Sequence, residues 1–143
     1  YIILLLAFRN MRIALITTIP VILVASWLYG TMKILGFGLN FVTATVGSIS
    51  IGVGIDYAVH MTQRFREEYK KTLSADTALI KAVSSTGIAL FASAISSIVG
   101  FGIMAFAPMP LFATYGLLTA CMILYAFLAS ILILPLLLKW THK

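Results

Sequence analysis

The sequence predicts an all-α fold, a polytopic membrane helix bundle, and three observations carry that expectation. Of its 143 residues, 62% are hydrophobic and 10% charged, with a mean hydropathy of +1.09. A soluble domain is about 45–50% apolar and roughly a quarter charged, so this chain has too little polar surface to cover a water-facing core. The apolar residues are gathered into runs, several of them near the roughly 20 residues that cross a bilayer. The charges fall between the runs. A cytosolic enzyme is excluded, and so are disorder, collagen and a disulfide scaffold. The chain has two Trp, six Tyr and nine Phe, its Gly residues keep no period, and Cys121 stands alone. The net charge of +6 does not point to nucleic acid, because it clusters in the connections as membrane proteins mark their cytoplasmic loops. The lipid bilayer is the expected partner.

Five apolar segments follow in order. Residues 1–8 are too short to span and follow no start methionine, so the chain is expected to begin inside a helix of a longer protein. A signal peptide does not fit, since no basic region precedes the run and no small-residue cleavage site follows it. Residues 13–29 form the second segment, closing near Gly30, and residues 39–61 the third. Residues 82–107 form the fourth and stop at Pro108-Met109-Pro110, where two prolines break the helix. Residues 111–138 form the fifth, with a kink expected at Pro135.

Arg9 and Arg12 follow the first segment, Arg64, Arg66, Lys70, Lys71 and Lys81 the third, and Lys139 and Lys143 the fifth. Only Lys33 lies on the other side. This bias places those three connections in the cytoplasm, as expected of a multi-pass protein of a prokaryotic plasma membrane. The connection over residues 62–81 is expected to be helical at first, with Phe65, Tyr69 and Leu73 at spacings of four on one face and the charges on the other. Ser74 is a candidate N-cap for the next helix, and Asp76 suits its first turn.

Of the four acidic residues, Glu67, Glu68 and Asp76 fall in that connection. Asp56 does not. It lies within the third apolar segment, where a carboxylate costs about 2.5–3.5 kcal/mol on insertion scales and has a partner or a task. Thr45, Ser48, Gly52, Asp56 and His60 share one helical stripe, so Ser48 and Gly52, with nearby Gly54, are expected to admit another helix closely. His60, one turn toward the cytoplasm, either exchanges a proton with Asp56 or sits at the interface. Tyr57 points about 100° away, its hydroxyl serving as a relay or as a packing group. In the fourth segment Thr86, Ala89, Ser93, Ser97 and Gly100 form a second stripe. Ser93 and Ser97 are its candidate members to meet a neighbouring carboxyl or hold water, or they support close packing. Two His and one Cys are too few and too scattered for a metal site, so neither metal nor cofactor is expected. Gly52 and Gly54 lie within a membrane helix and form no nucleotide loop.

The runs Leu39-Asn40-Phe41-Val42-Thr43-Ala44-Thr45, Gly52-Val53-Gly54-Ile55-Asp56-Tyr57 and Arg64-Phe65-Arg66-Glu67-Glu68 resemble a transmembrane helix of resistance-nodulation-cell division (RND) exporters. The similarity is to the MmpL and hydrophobe exporter branch, related to Patched and the sterol-sensing proteins. Ser85-Thr86-Gly87, Gly100-Phe101 and Leu134-Pro135-Leu136-Leu137 are similar to the two helices that follow in that family. The resemblance implies five of the six helices of one RND-type transmembrane repeat. The other repeat and the extracytoplasmic domains are then partners outside this chain, the substrate is hydrophobic or lipid-like, and protons are the coupling ion. It also implies a proton relay by Asp56 and Tyr57. SecD and SecF, accessory to protein export, share the Gly, the Asp and the Arg-Glu-Glu, usually without the Tyr. A sterol-sensing or lipid-binding regulator would keep the fold and transport nothing.

Overall fold

The structure, a computed structural model, describes residues 2–141. Helices α1 (Ile2–Phe8), α2 (Met11–Ile34), α3 (Phe41–Thr72), α4 (Ala75–Met104), α5 (Pro110–Leu128) and α6 (Leu134–Thr141) follow one another, with a π-helical turn Ala129–Ile133 joining the last two. No strand occurs among the described residues. Four helical units are long and apolar enough to cross a membrane: α2, α3, α4 and the run Pro110–Trp140. The chain is therefore an all-α polytopic bundle.

Local chemistry sets the helix ends. Asn10 starts α2 by accepting from the amides of Arg12 at 3.1 Å and Ile13 at 3.4 Å. Asn40 and Thr43 start α3 with a reciprocal capping box, each side chain accepting from the other's amide at 3.0 and 2.8 Å. Two chain reversals rest on left-handed residues, Arg9 at φ 49° and Leu73 at φ 53°. Each places its amide on the carbonyl four residues back, at 2.9 Å. Pro110 sits in the first turn of α5, where its missing N–H costs nothing.

Three boundaries differ from expectation, each for a physical reason. The segment expected over 13–29 runs on to Ile34, because Gly30 keeps helical geometry and Thr31 bonds both the Trp27 carbonyl at 2.9 Å and the Tyr125 hydroxyl at 2.7 Å. The connection expected over 62–81 is almost wholly helix, and only Leu73 and Ser74 separate α3 from α4. Ion pairs three and four residues apart, Arg64 with Glu67 and Glu68 and Lys71 with Glu68, hold α3 together after it leaves the apolar zone. Ser74 stands at the N-cap of α4 without a side-chain bond to the helix amides, its hydroxyl oxygen accepting from Thr77 instead. At Pro135 the chain widens into the π turn: the Leu134 amide reaches back five residues to the Ala129 carbonyl. A proline crowds the carbonyl four residues before it, here Ile131, and the wider turn relieves that crowding.

The core joins α2 to α6 through Val24, Leu28, Met61, Phe65, Leu118, Met122 and Leu134, all buried. A smaller cluster of Leu4, Phe8, Ile13 and Ala14 fastens α1 to the outside of α2 and α3. In a bilayer the tails are as apolar as these side chains, so close packing rather than escape from water holds such helices together. Small residues make that possible. Ala78, Ala82 and Ala94 bury one face of α4. Gly116 lets α5 lie directly on the end of α4: a Cβ there would stand 2.5 Å from both the Phe101 carbonyl oxygen and Met104 Cβ.

The basic connections meet at one end of the bundle. Arg66 lies over Phe8, Arg64 donates to Ser85, and Lys139 pairs with Asp76, whereas Lys33 closes the far end of α2. Cysteines placed at positions 33 and 70 are expected to react with an impermeant maleimide from opposite sides of the membrane; labelling of both from one side would overturn this orientation. Gly116→Ala is expected to destabilise the protein by about 1–3 kcal/mol, since backbone and Cβ atoms cannot swing away. Thermal unfolding of the detergent-purified protein checks this.

Candidate functional site

Successive turns of α3 and α4 line a groove of about 510 Å³. Asp56, Tyr57 and His60 line it from α3, Thr86, Ser93 and Ser97 from α4, with apolar walls that include Val53, Leu90, Phe101 and Ile123. The proposed relay and support residues Asp56, Tyr57, His60, Ser93 and Ser97 thus lie along a single groove. Helical spacing explains their meeting, since positions four apart on two antiparallel helices stack into facing rows. From Thr86 to Phe101 the groove extends about 22 Å, most of the hydrocarbon thickness.

The groove is open along its side. Asp56, His60 and Ser93 are exposed, as are Ser48 and Gly52 on the same face of α3 and Ala89, Ser96 and Gly100 on α4. The carboxyl of Asp56 makes no hydrogen bond or ion pair with another described residue, and neither do the side chains of His60, Thr86, Ser93 and Ser97. Asp56 lies six residues past the middle of the apolar stretch 39–61, about 9 Å along the helix toward the basic end of the bundle. Tyr57, adjacent in sequence, is 7% exposed and packs in the core while also bordering the groove, so one helical turn carries an exposed acid and a buried phenol.

Within this chain the small residues of α3 divide between two faces. Ser48 and Gly52 are exposed, and a Cβ on Gly52 would meet nothing within 4 Å. Ser48 instead donates to the Ala44 carbonyl at 3.1 Å. The close approach to α2 is made by Gly54, against Val21, and by Gly47, over which the Tyr29 hydroxyl lies. The stripe is outward-facing because α3 carries small residues on two sides, and periodicity alone does not tell which side meets α2.

Other polar groups went unremarked in the sequence. Thr17 of α2 and Thr62 of α3 bond each other at 3.1 Å, both fully buried, and Thr17 also donates to the Ile13 carbonyl. The hydroxyls of Thr119 and Ser130 are buried without a partner among the described residues. At the wet end Glu68 is buried, and the hydrogen bond from Lys71, with the charges of Lys71 and Arg64, holds its carboxyl below the usual range. No cluster of His, Cys, Asp and Glu suited to a metal occurs among the described residues.

Residues 1–141 match the MMPL family. The chain belongs to that family. A putative membrane protein of the archaeon Methanocaldococcus jannaschii, MJ1562, is 34% identical over 134 residues, which are 94% of this chain and 34% of that protein. The sulfolipid-1 exporter MmpL8 of Mycobacterium tuberculosis is 28% identical over 94% of the chain and 12% of its own length. The hopanoid transporter HpnN of Rhodopseudomonas palustris is 29% identical over 71% of the chain and 12% of its own length. The MMPL chain thus spans about a third or less of these relatives. No solved structure matches it. Family and spans together make it a multi-pass membrane protein of the RND superfamily.

Because a Cβ on Gly52 would meet nothing within 4 Å, Gly52→Leu is expected to leave the thermal unfolding of this chain unchanged within about 0.5 kcal/mol. If a further helix bundle covers the groove face, the same substitution lowers assembly or transport of the full-length protein. Unfolding of the Gly52→Leu chain at a clearly lower temperature would show that this face packs within it.

Proposed function

We propose that this chain is the transmembrane part of an RND-type exporter of hydrophobic or lipid-like substrates, driven by the proton-motive force. Asp56 carries the proton in this reading, and Tyr57 supports it. The single observation behind the proposal is a carboxyl inside the hydrocarbon zone with no partner in its own bundle. Such a charge is too costly to leave facing lipid, so another protein surface covers the groove, and the acid is held there for a purpose. The cover is the other transmembrane repeat of the parent protein, whose extracytoplasmic domains complete the path for substrate. The lipid-exporting relatives supply the substrate class.

Within the groove, Ser97, Ser93, Asp56 and His60 follow one another toward the cytoplasm. On each helix the two polar stations are about one helical turn apart. A proton entering from outside meets hydroxyls first, then the carboxyl, then the imidazole near the cytoplasmic boundary. Each proton that crosses brings about 2.3 kcal/mol per 100 mV of membrane potential. That energy does work only if the neutral and charged acid favour different arrangements of the two repeats. The charged acid attracts donors from the opposite repeat, and the neutral acid releases them.

Asp56→Asn keeps size and loses titration, and it is expected to abolish proton-driven export by the full-length protein at wild-type abundance. Tyr57→Phe is expected to lower export by roughly two- to tenfold, the worth of one hydrogen bond, and Glu67→Gln to change it little. Undiminished export by Asp56→Asn would make the carboxyl structural and the mechanism wrong. Substrate binding without proton-coupled transport in the wild type would favour a regulator of the sterol-sensing kind.

A further inference from the structure

The cytoplasmic end of the bundle carries a second cleft, of about 280 Å³, lined by Phe8, Val59, Gln63, Arg66, Glu67 and Lys70. Val59, Gln63, Arg66 and Lys70 recur at spacings of four, three and four, one continuous face of α3, and Phe8 at the end of α1 forms the opposite wall. The wall residues follow an order of polarity. Phe8 and Val59 belong to or pack against the small apolar cluster at the membrane side, Gln63 comes next, and Arg66 and Lys70 lie beyond it toward the cytoplasm.

Charge decides what this cleft can hold. The three carboxylates at this end are already engaged: Glu67 with Arg64, Glu68 with Arg64 and Lys71, and Asp76 with Lys139. Arg66 and Lys70 therefore have no acidic partner among the described residues. The Arg66 guanidinium lies 5.4 Å from the centre of the Phe8 ring, a contact that fixes its plane while leaving its edge donors free. Arg9, next to Phe8 in the chain, and Arg12 are exposed at the same corner. An occupant must then be anionic at the aqueous end and apolar at the membrane end.

We propose that this cleft binds an anionic phospholipid of the cytoplasmic leaflet. Its phosphate rests on Arg66 and Lys70, its glycerol region reaches Gln63, and an acyl chain follows Val59 and Phe8 into the bilayer. Basic pockets between transmembrane helices at the cytoplasmic boundary suit such headgroups, because the guanidinium fork matches phosphate oxygens and the site lies at headgroup depth. The site is separate from the groove that holds Asp56 and does not depend on the function proposed for it. Its contact with Phe8 ties the bound lipid to the junction of α1 and α2.

The test is native mass spectrometry of the purified full-length protein with phosphatidylglycerol, phosphatidylcholine or inorganic phosphate added in turn. The wild type is expected to retain phosphatidylglycerol in preference to phosphatidylcholine. Arg66→Gln/Lys70→Gln is expected to weaken phosphatidylglycerol binding by roughly thirtyfold. Lys33→Gln/Lys81→Gln removes the same formal charge elsewhere and is expected to keep the preference. Equal retention of both lipids by the wild type, or undiminished binding by the Arg66 and Lys70 variant, would overturn the site. An equal loss in the control variant would reduce it to general charge attraction, and full displacement of the lipid by inorganic phosphate would make it an anion site rather than a lipid site.

Discussion

Hydrocarbon offers no water to a polar group, so apart from the buried hydroxyls of Thr119 and Ser130 the side-chain donors and acceptors of this bundle either find protein or face a surface where something else can meet them. Most of the hydroxyls follow the first course. Thr17, Thr18, Ser26, Thr31, Thr45 and Ser48 each donate to the carbonyl one turn back, and Thr17 and Thr62 join α2 to α3 in the interior. Asp56, His60, Ser93 and Ser97 follow the second. Their concentration on one face, across two helices, gives that face a different character from the rest of the perimeter, where Ile80, Ile88, Leu132 and Leu136 are exposed in the way lipid-facing residues are.

The same solvent removes the usual force for helix association, and the bundle depends on how closely backbones approach. Gly116 against the end of α4, Gly54 against Val21 and the buried alanines of α4 serve that end. Side chains with fixed shapes then fill what remains: the Trp27 and Tyr125 rings meet edge-on at 5.8 Å, and Phe101 and Tyr115 tilt together near the groove's outer end. The π turn before Pro135 belongs to the same logic, since it keeps Leu134 and Leu138 directed into the core past a residue that would otherwise bend the helix away.

Much of this was legible in the sequence because the membrane imposes a length and a sign rule. Apolar runs revealed the spans, and Lys and Arg placement grouped the connections that the structure brings to one end of the bundle. Spacing put Asp56 with His60 on one stripe and Ser93 with Ser97 on another, and the structure lines one groove with both. Direction was harder to read. In water an apolar stripe faces the core, but in lipid both faces are apolar, and the small-residue stripe through Gly52 looks the same whether it meets α2 or a surface outside the chain. Gly116 and the Thr17–Thr62 bond carried no local signal, because their importance lies in residues more than ten positions away. The helical stretch after Met61 was underestimated for another reason: its stability comes from ion pairs at spacings of three and four, which hydropathy does not weigh.

The adjacency of Asp56 and Tyr57 bears on how a charge in the groove is felt by the rest of the bundle. Consecutive helical residues point about 100° apart, so an acid on an outer face necessarily has a neighbour turned toward the interior. Here that neighbour is a large aromatic packed in the core shared by α2, α3, α4 and α5. Any rotation of α3 that improves the surroundings of a charged Asp56 also turns the Tyr57 ring within that core. Interiors packed at crystalline density do not deform smoothly and settle into distinct arrangements. In the proposed exporter, gain or loss of one proton at Asp56 therefore selects between packings of the whole bundle. Gly52, one turn before the acid, borders open space, and Gly54 lies against Val21 of α2, so α3 is closely held at Gly54 and open at Gly52.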